Sequence, residues 1–185
     1  RICKKTNLKR LFSLGNLCFT GKFPSENKKI EKKPITLVIC KNCELVQLGN
    51  NFDLKYLYGP DYGYRTGINK TMLNHVSRVV NYLSKKTMLK KNDFVLDIAS
   101  NDGTLLKSYK NKNINLIGID PTINQYKEFY PKENIYLSSE FFTKEVFNSL
   151  SPTKYAKLIS SIAVFYDVPD PQLFVSDVAS ILDKN

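Results

Sequence analysis

From residue 93 onward the chain alternates short apolar runs with amphipathic segments. The runs at 94–98, 116–119, 135–137 and 157–161, the last at the heart of 155–164, have the length and composition of buried strands. Between and after them, residues 104–109, 124–130, 143–149 and 171–182 carry apolar positions at helical spacing. Four strand–helix units at this spacing predict an α/β fold with a parallel, doubly wound, Rossmann-like sheet. Upstream, Ile68, Met72, Val76, Val79, Val80 and Leu83 form one stripe of a helix predicted over 67–86 and capped by Thr66. His75 lies beside that stripe, as a packing or a functional residue. Two β-like runs, 35–39 and 45–48, flank Cys40-Lys41-Asn42-Cys43. The expected domains are therefore a small β module over 1–52, a Tyr- and Gly-rich linker over 53–66, and the α/β domain over 67–185.

The informative joint is the end of the first α/β strand, Asp97-Ile98-Ala99-Ser100-Asn101-Asp102-Gly103-Thr104. Strand, tight turn and helix start follow one another, and open α/β sheets bind ligands at the carboxyl ends of their strands. Dinucleotide sites want G-x-G-x-x-G so that pyrophosphate can approach bare backbone. This turn has one glycine and a carboxylate, Asp97, that would repel phosphate. It suits a ligand carrying an amine and a sulfonium, which argues against a nicotinamide enzyme. Asp120, 23 residues further on at the tip of the second strand, can accept hydrogen bonds from two ribose hydroxyls. Ordinary loop carboxylates are the plainer reading of both.

All four cysteines fall in the first 50 residues. A CxxC between two strands has the form of a zinc knuckle presenting two thiolates. Cys3 stands where a second knuckle would end, its partner expected at the position just before Arg1, so Cys3, Cys40 and Cys43 are the candidate structural Zn2+ ligands. Cys18 is an alternative with the wrong spacing, and a redox CxxC would more usually open a helix.

Composition changes the picture little. The 185 residues are 42% hydrophobic, enough for a core, and no run is long enough for a membrane span. No signal peptide opens the chain, so a cytoplasmic, reducing setting is expected. The net charge of +11 comes from lysines scattered among asparagines. That pattern disfavours a nucleic-acid partner and suits a phosphorylated or nucleotide-bearing small molecule equally well.

Across nearly its whole length the chain resembles the zinc-binding sugar C-methyltransferases, the nucleotide-hexose 3-C-methyltransferases and their relatives. The likeness is carried by Cys40-x-x-Cys43-Glu-Leu-Val-Gln-Leu, by residues 62–75 (Tyr-Gly-Tyr-Arg-Thr-Gly-Ile-Asn-Lys-Thr-Met-Leu-Asn-His), by 97–106, by Gly118-Ile-Asp-Pro121 and by Phe165-Tyr-Asp-Val-Pro-Asp-Pro171. It implies a class I methyltransferase domain using S-adenosylmethionine, and a keto-deoxysugar on a nucleotide as acceptor, methylated through an enolate. It implies Asp97, Ala99, Ser100, Asn101 and Gly103 at the cofactor turn, Asp120 and Pro121 at the ribose, and Ser161 and Ile162 opening the donor-pocket segment 161–167. Tyr62 and Tyr64 would lie near the methyl group. The family's base residues and the rest of its sheet find no counterpart here, so the chain reads as an N-terminal fragment that does not turn over alone. Two alternatives stand beside this reading: a methyltransferase for another small molecule or RNA, and a non-catalytic zinc and Rossmann-like binding module.

Overall fold

The computed structural model describes residues 1–18, 21–24, 26 and 29–184; the other positions of the expected domains lie outside the described residues. The chain forms two compact units, Arg1–Gly63 with Asp167–Leu173, and Tyr64–Tyr166 with Phe174–Asn185. Among the described residues no helix is long and apolar enough to cross a membrane.

The first unit is built on an antiparallel sheet in the order β1 (Leu8–Cys18), β2 (Lys32–Cys40), β3 (Val46–Leu48). The 35–39 and 45–48 runs account for β2 and β3. β1 is an edge strand with two irregularities, between Arg10 and Phe12 and between Ser13 and Asn16. Its Leu11, Phe12, Leu14 and Leu17 are exposed. The β2–β3 turn is closed by Cys40 N–H donating to Leu45 O at 2.9 Å and Glu44 N–H to Cys40 O at 2.9 Å, with Glu44 at φ 59°. The tyrosine-rich stretch up to Gly63 packs within this unit. Asp53 caps a short helix, α1 (Leu54–Leu57). The Tyr58 and Tyr62 rings meet edge to face at 5.0 Å, Lys22 Nζ sits 3.8 Å above the Tyr56 ring, and Tyr58 O–H donates to Asp167.

The second unit is a parallel sheet of β4 (Phe94–Ile98), β5 (Asn115–Ile119), β6 (Ile135–Ser138) and β7 (Leu158–Ser161) in the order β6-β5-β4-β7. Helix α2 (Lys70–Thr87) precedes β4, and α3 (Thr104–Lys107) lies between β4 and β5. α4 (Ile123–Tyr126), α5 (Lys144–Leu150) and α6 (Pro171–Ile181) complete the set. Side chains alternate across the sheet. Val95, Leu116 and Leu158 meet Val76 and Val80 of α2 and Leu105 and Leu106 of α3. Leu96, Ile98, Ile117 and Ile119 meet Phe147 of α5 and Ile181 of α6. With both faces covered, the unit is an α/β, Rossmann-like layer structure preceded in the chain by a small cysteine-bearing β module.

Two expectations change in detail. α2 starts at Lys70, not at residue 67, and its cap is Asn69, whose side chain accepts from Thr71 N and Met72 N. Thr66 is unavailable as a cap because its N–H and hydroxyl are both directed to the Asn101 side chain. Ile68 accordingly lies off the buried stripe, and His75 is exposed. Just ahead of β7, Ala156 pairs in parallel with Leu182, and Asp183 N–H donates to Ala156 O at 2.9 Å.

Candidate functional site

The turn after β4 is left-handed at three alternate positions: Ala99 (φ 58°), Asn101 (φ 51°) and Gly103 (φ 71°). Only one is glycine, but the backbone takes the path a glycine-rich turn would take. Ala99 N–H donates to Ile119 O at 2.8 Å, which ties the turn to the neighbouring strand. Gly103 has a second constraint: a Cβ there would lie 2.6 Å from the Tyr130 ring. Gly118 lets the turn lie close on β5, because a Cβ there would meet Ser100 Oγ at 2.9 Å.

Beneath the turn, the buried Tyr130 hydroxyl donates to Asn101 O at 2.7 Å and lies 2.8 Å from Ser100 Oγ. A phenol has one proton, so Ser100 is the donor of the second bond. Burial raises the Tyr130 phenol's pKa and keeps it protonated. Ser100 is thus held inward by an aromatic residue that nothing in the spacing of the turn announces.

The two strand-tip carboxylates are buried and partnered. Asp120 Oδ1 accepts from Thr122 N at 2.6 Å and Thr122 Oγ1 at 2.5 Å, and Oδ2 accepts from Asn101 N at 2.9 Å. One lone pair of Oδ2 remains for a further donor. Asp97 Oδ1 accepts from Ser160 Oγ at 2.7 Å. Burial pushes the Asp97 carboxyl up to about 7; the Ser160 hydrogen bond opposes this and the charge of Asp120 adds to it. Two cavities border this unit's α3. One of about 190 Å³ is lined by Arg65, Gly67, Asp102, Thr104 and Phe129 among others. One of about 390 Å³ lies at the other end of the sheet, around Leu116 and Lys132. Neither Asp97 nor Asp120 lines either cavity.

Ser161 ends β7, and its buried Oγ has no hydrogen-bond partner among the described residues. An orphaned hydroxyl at the carboxyl end of a parallel sheet is what a bound polar ligand would satisfy. Half-buried Ile162 and Pro121 stand at the tips of β7 and β5. Tyr64, in this unit, is 45% exposed. Tyr62, in the first unit, packs its ring on Tyr58 and against Gly21.

In the first unit the Sγ atoms of Cys3, Cys40 and Cys43 all lie within 4.8 Å of one another, with Cys3 and Cys40 at 3.5 Å. Tetrahedral zinc with bonds of about 2.3 Å separates its sulfurs by about 3.8 Å. The three thiols therefore fit three corners of a zinc site. N–H groups of Asn42 and Cys43 lower the Cys40 thiol to about 7. At Cys3 the Lys5 N–H pulls down, but the thiols of Cys43 and Cys40 outweigh it and leave that group raised. Cys18 is no alternative ligand. It pairs with Lys32 at the far end of the β1–β2 ladder from the Leu8–Cys40 pair.

Residues 1–58 match the family described as "Putative zinc binding domain", a span that contains all three clustered cysteines. The chain is also similar to the C-methyltransferase NovU of Streptomyces niveus, 23% identical over 151 residues and 80% of this chain. It spans 35% of that relative's length.

Proposed function

We propose that this zinc-binding, sugar C-methyltransferase-like chain binds S-adenosylmethionine at the tips of β4, β5 and β7 and serves methyl transfer to a carbon of a nucleotide-linked keto-deoxysugar. The observation that carries the reading is the left-handed turn at Ala99, Asn101 and Gly103, a sharp turn at a strand tip built without the glycines of a pyrophosphate cradle. The likeness to a C-methyltransferase supports the reaction class.

When bound, S-adenosylmethionine supplies a methyl group made electrophilic by a sulfonium. In the overall reaction the acceptor loses the proton beside its ketone to a base, a carbon–carbon bond forms to the methyl, and S-adenosylhomocysteine departs. This chain's residues bind and orient. The free lone pair of Asp120 is placed for a ribose hydroxyl, and Ser161 offers an unused hydroxyl. Ile162 and Pro121 give apolar surface for a base ring. A cation at the β4 tip would favour the ionised form of Asp97, which burial alone disfavours. Tyr64 supplies an exposed phenol on the segment next to the turn. Cys3, Cys40 and Cys43 hold Zn2+ in a structural role, fastening the β2–β3 turn to the start of the chain.

Titration calorimetry with S-adenosylhomocysteine tests the cofactor half. The expected result is saturable binding, weakened about tenfold by Asp120→Asn and severalfold by Ser161→Val, each consistent with loss of one hydrogen bond of about 1 kcal/mol. No heat at millimolar ligand, with the chain folded, would sink it.

A further inference from the structure

Two side chains of the turn, those of Asn101 and Asp102, are aimed at residues 64–67. Asn101 Oδ1 accepts from Thr66 N at 2.9 Å and Thr66 Oγ1 at 3.3 Å, while Asn101 Nδ2 donates to Tyr64 O at 3.0 Å. The amide's orientation is not arbitrary: a backbone N–H can only donate and a backbone carbonyl can only accept. Asp102 Oδ2 accepts from Gly67 N at 2.9 Å and from Arg65 Nε at 3.4 Å. Its other oxygen accepts from Thr104 N at 3.2 Å. The Arg65 guanidinium lies 3.6 Å from the centre of the Phe129 ring, which adds a cation–π contact to the pair.

The fit is close. A Cβ on Gly67 would lie 2.7 Å from Thr104 Oγ1 and 2.8 Å from Asp102 Oδ2, so position 67 admits glycine alone without displacing the clamp. Asn101 and Asp102 are both buried, so their polar atoms depend on these partners rather than on water. On the other side, Asn101 N–H is held by Asp120 Oδ2. A continuous chain of bonds therefore runs from the tip of β5, through Asn101, to the carbonyl of Tyr64.

We propose that Asn101 and Asp102 are positioning residues that fix residues 64–67 on the strand-tip turn. A ligand that orders the turn then also orders Tyr64. This deepens the cofactor reading given above and rests on it for its ligand-dependent half only. It gives Asn101 a different task from direct cofactor contact: its backbone forms the turn, and its amide reads the neighbouring segment.

Trypsin reports the clamp directly, because Arg65 is a cleavage site inside it and Lys85 and Lys86 at the exposed end of α2 serve as internal references. When opening is fast relative to cleavage, the cutting rate follows the population of the open segment. N101D keeps an acceptor for Thr66 but turns an oxygen toward the Tyr64 carbonyl. Cleavage after Arg65 should rise about tenfold relative to the references. D102N, which keeps an acceptor for Gly67 but drops the charge paired with Arg65, should raise it severalfold and serves if N101D does not fold. S-adenosylhomocysteine should slow cleavage after Arg65 several-fold in the parent chain and by less than twofold in N101D. Unchanged cleavage in folded N101D and D102N overturns the clamp. Equal protection by ligand in parent and N101D overturns the positioning role but leaves the cofactor reading standing. No protection in the parent overturns the ligand-dependent half of the proposal, and overturns the cofactor reading as well where calorimetry also shows no binding, while the ligand-free rates still decide the clamp.

Discussion

Neutralising Asp97 should stabilise the chain at alkaline pH. The carboxyl sits buried at the end of β4 with one neutral partner, Ser160, and its pKa is pushed from 3.8 to about 7 chiefly by burial. Between those two values the folded chain holds a proton that the unfolded chain has released. Protons bound by the native state therefore exceed those bound by the unfolded state, and stability falls as pH rises through the window. Below about pH 4 the cost is absent; above about pH 7 it is complete, and the gap corresponds to roughly 4 kcal/mol at most. Asp97→Asn removes the ionisation and keeps an oxygen to accept from Ser160. Urea unfolding of parent and variant from pH 5 to pH 8 isolates the effect, since every other titrating group is shared. The difference, variant minus parent, should grow by about 2–3 kcal/mol across that range. A difference that stays constant with pH would refute the argument, since Asp97 would then titrate alike in both states.

Tyr130→Phe leaves the Ser100 hydroxyl and the Asn101 carbonyl without their shared partner, and should cost about 1–3 kcal/mol in urea unfolding. Gly103→Ala places a methyl against the Tyr130 ring at a left-handed position and should cost at least about 2 kcal/mol. Adding Tyr130→Phe should not rescue it, because the ring remains. Cys40→Ser should abolish zinc retained through gel filtration, read by plasma mass spectrometry, whereas Cys18→Ser, at the far end of the ladder, should leave the stoichiometry as in the parent.

The layered sheet was readable because its strands are dense apolar runs: Phe94 to Ile98 and Leu116 to Ile119 are almost wholly buried, and runs this short suit a buried strand better than a helix. The cysteine cluster was readable because CxxC between two strands constrains its own geometry. β1 was not. Its two irregularities break the period of two, so Leu11, Phe12, Leu14 and Leu17 follow no alternation a reader could count. Counting glycines also understated the strand-tip turn. Ala99 and Asn101 take left-handed φ values that residue type alone does not betray, although asparagine is among the residues that tolerate them. Thr66 looked like a helix cap because its true partner, Asn101, is 35 residues away. Tyr130 reaches the turn across 29 residues and gives no local sign of it.

The outer rim of β1 matters for handling. Among the described residues it offers an unzipped ladder of backbone groups beside solvent-facing leucines and a phenylalanine, a template on which a second copy can add itself. The two irregularities bend that rim and shorten any straight stretch for such addition. A preparation of the cysteine module in isolation would keep this rim. Lysines substituted for Phe12 and Leu14 are the economical remedy against precipitation, since both positions are remote from the three thiols along the ladder.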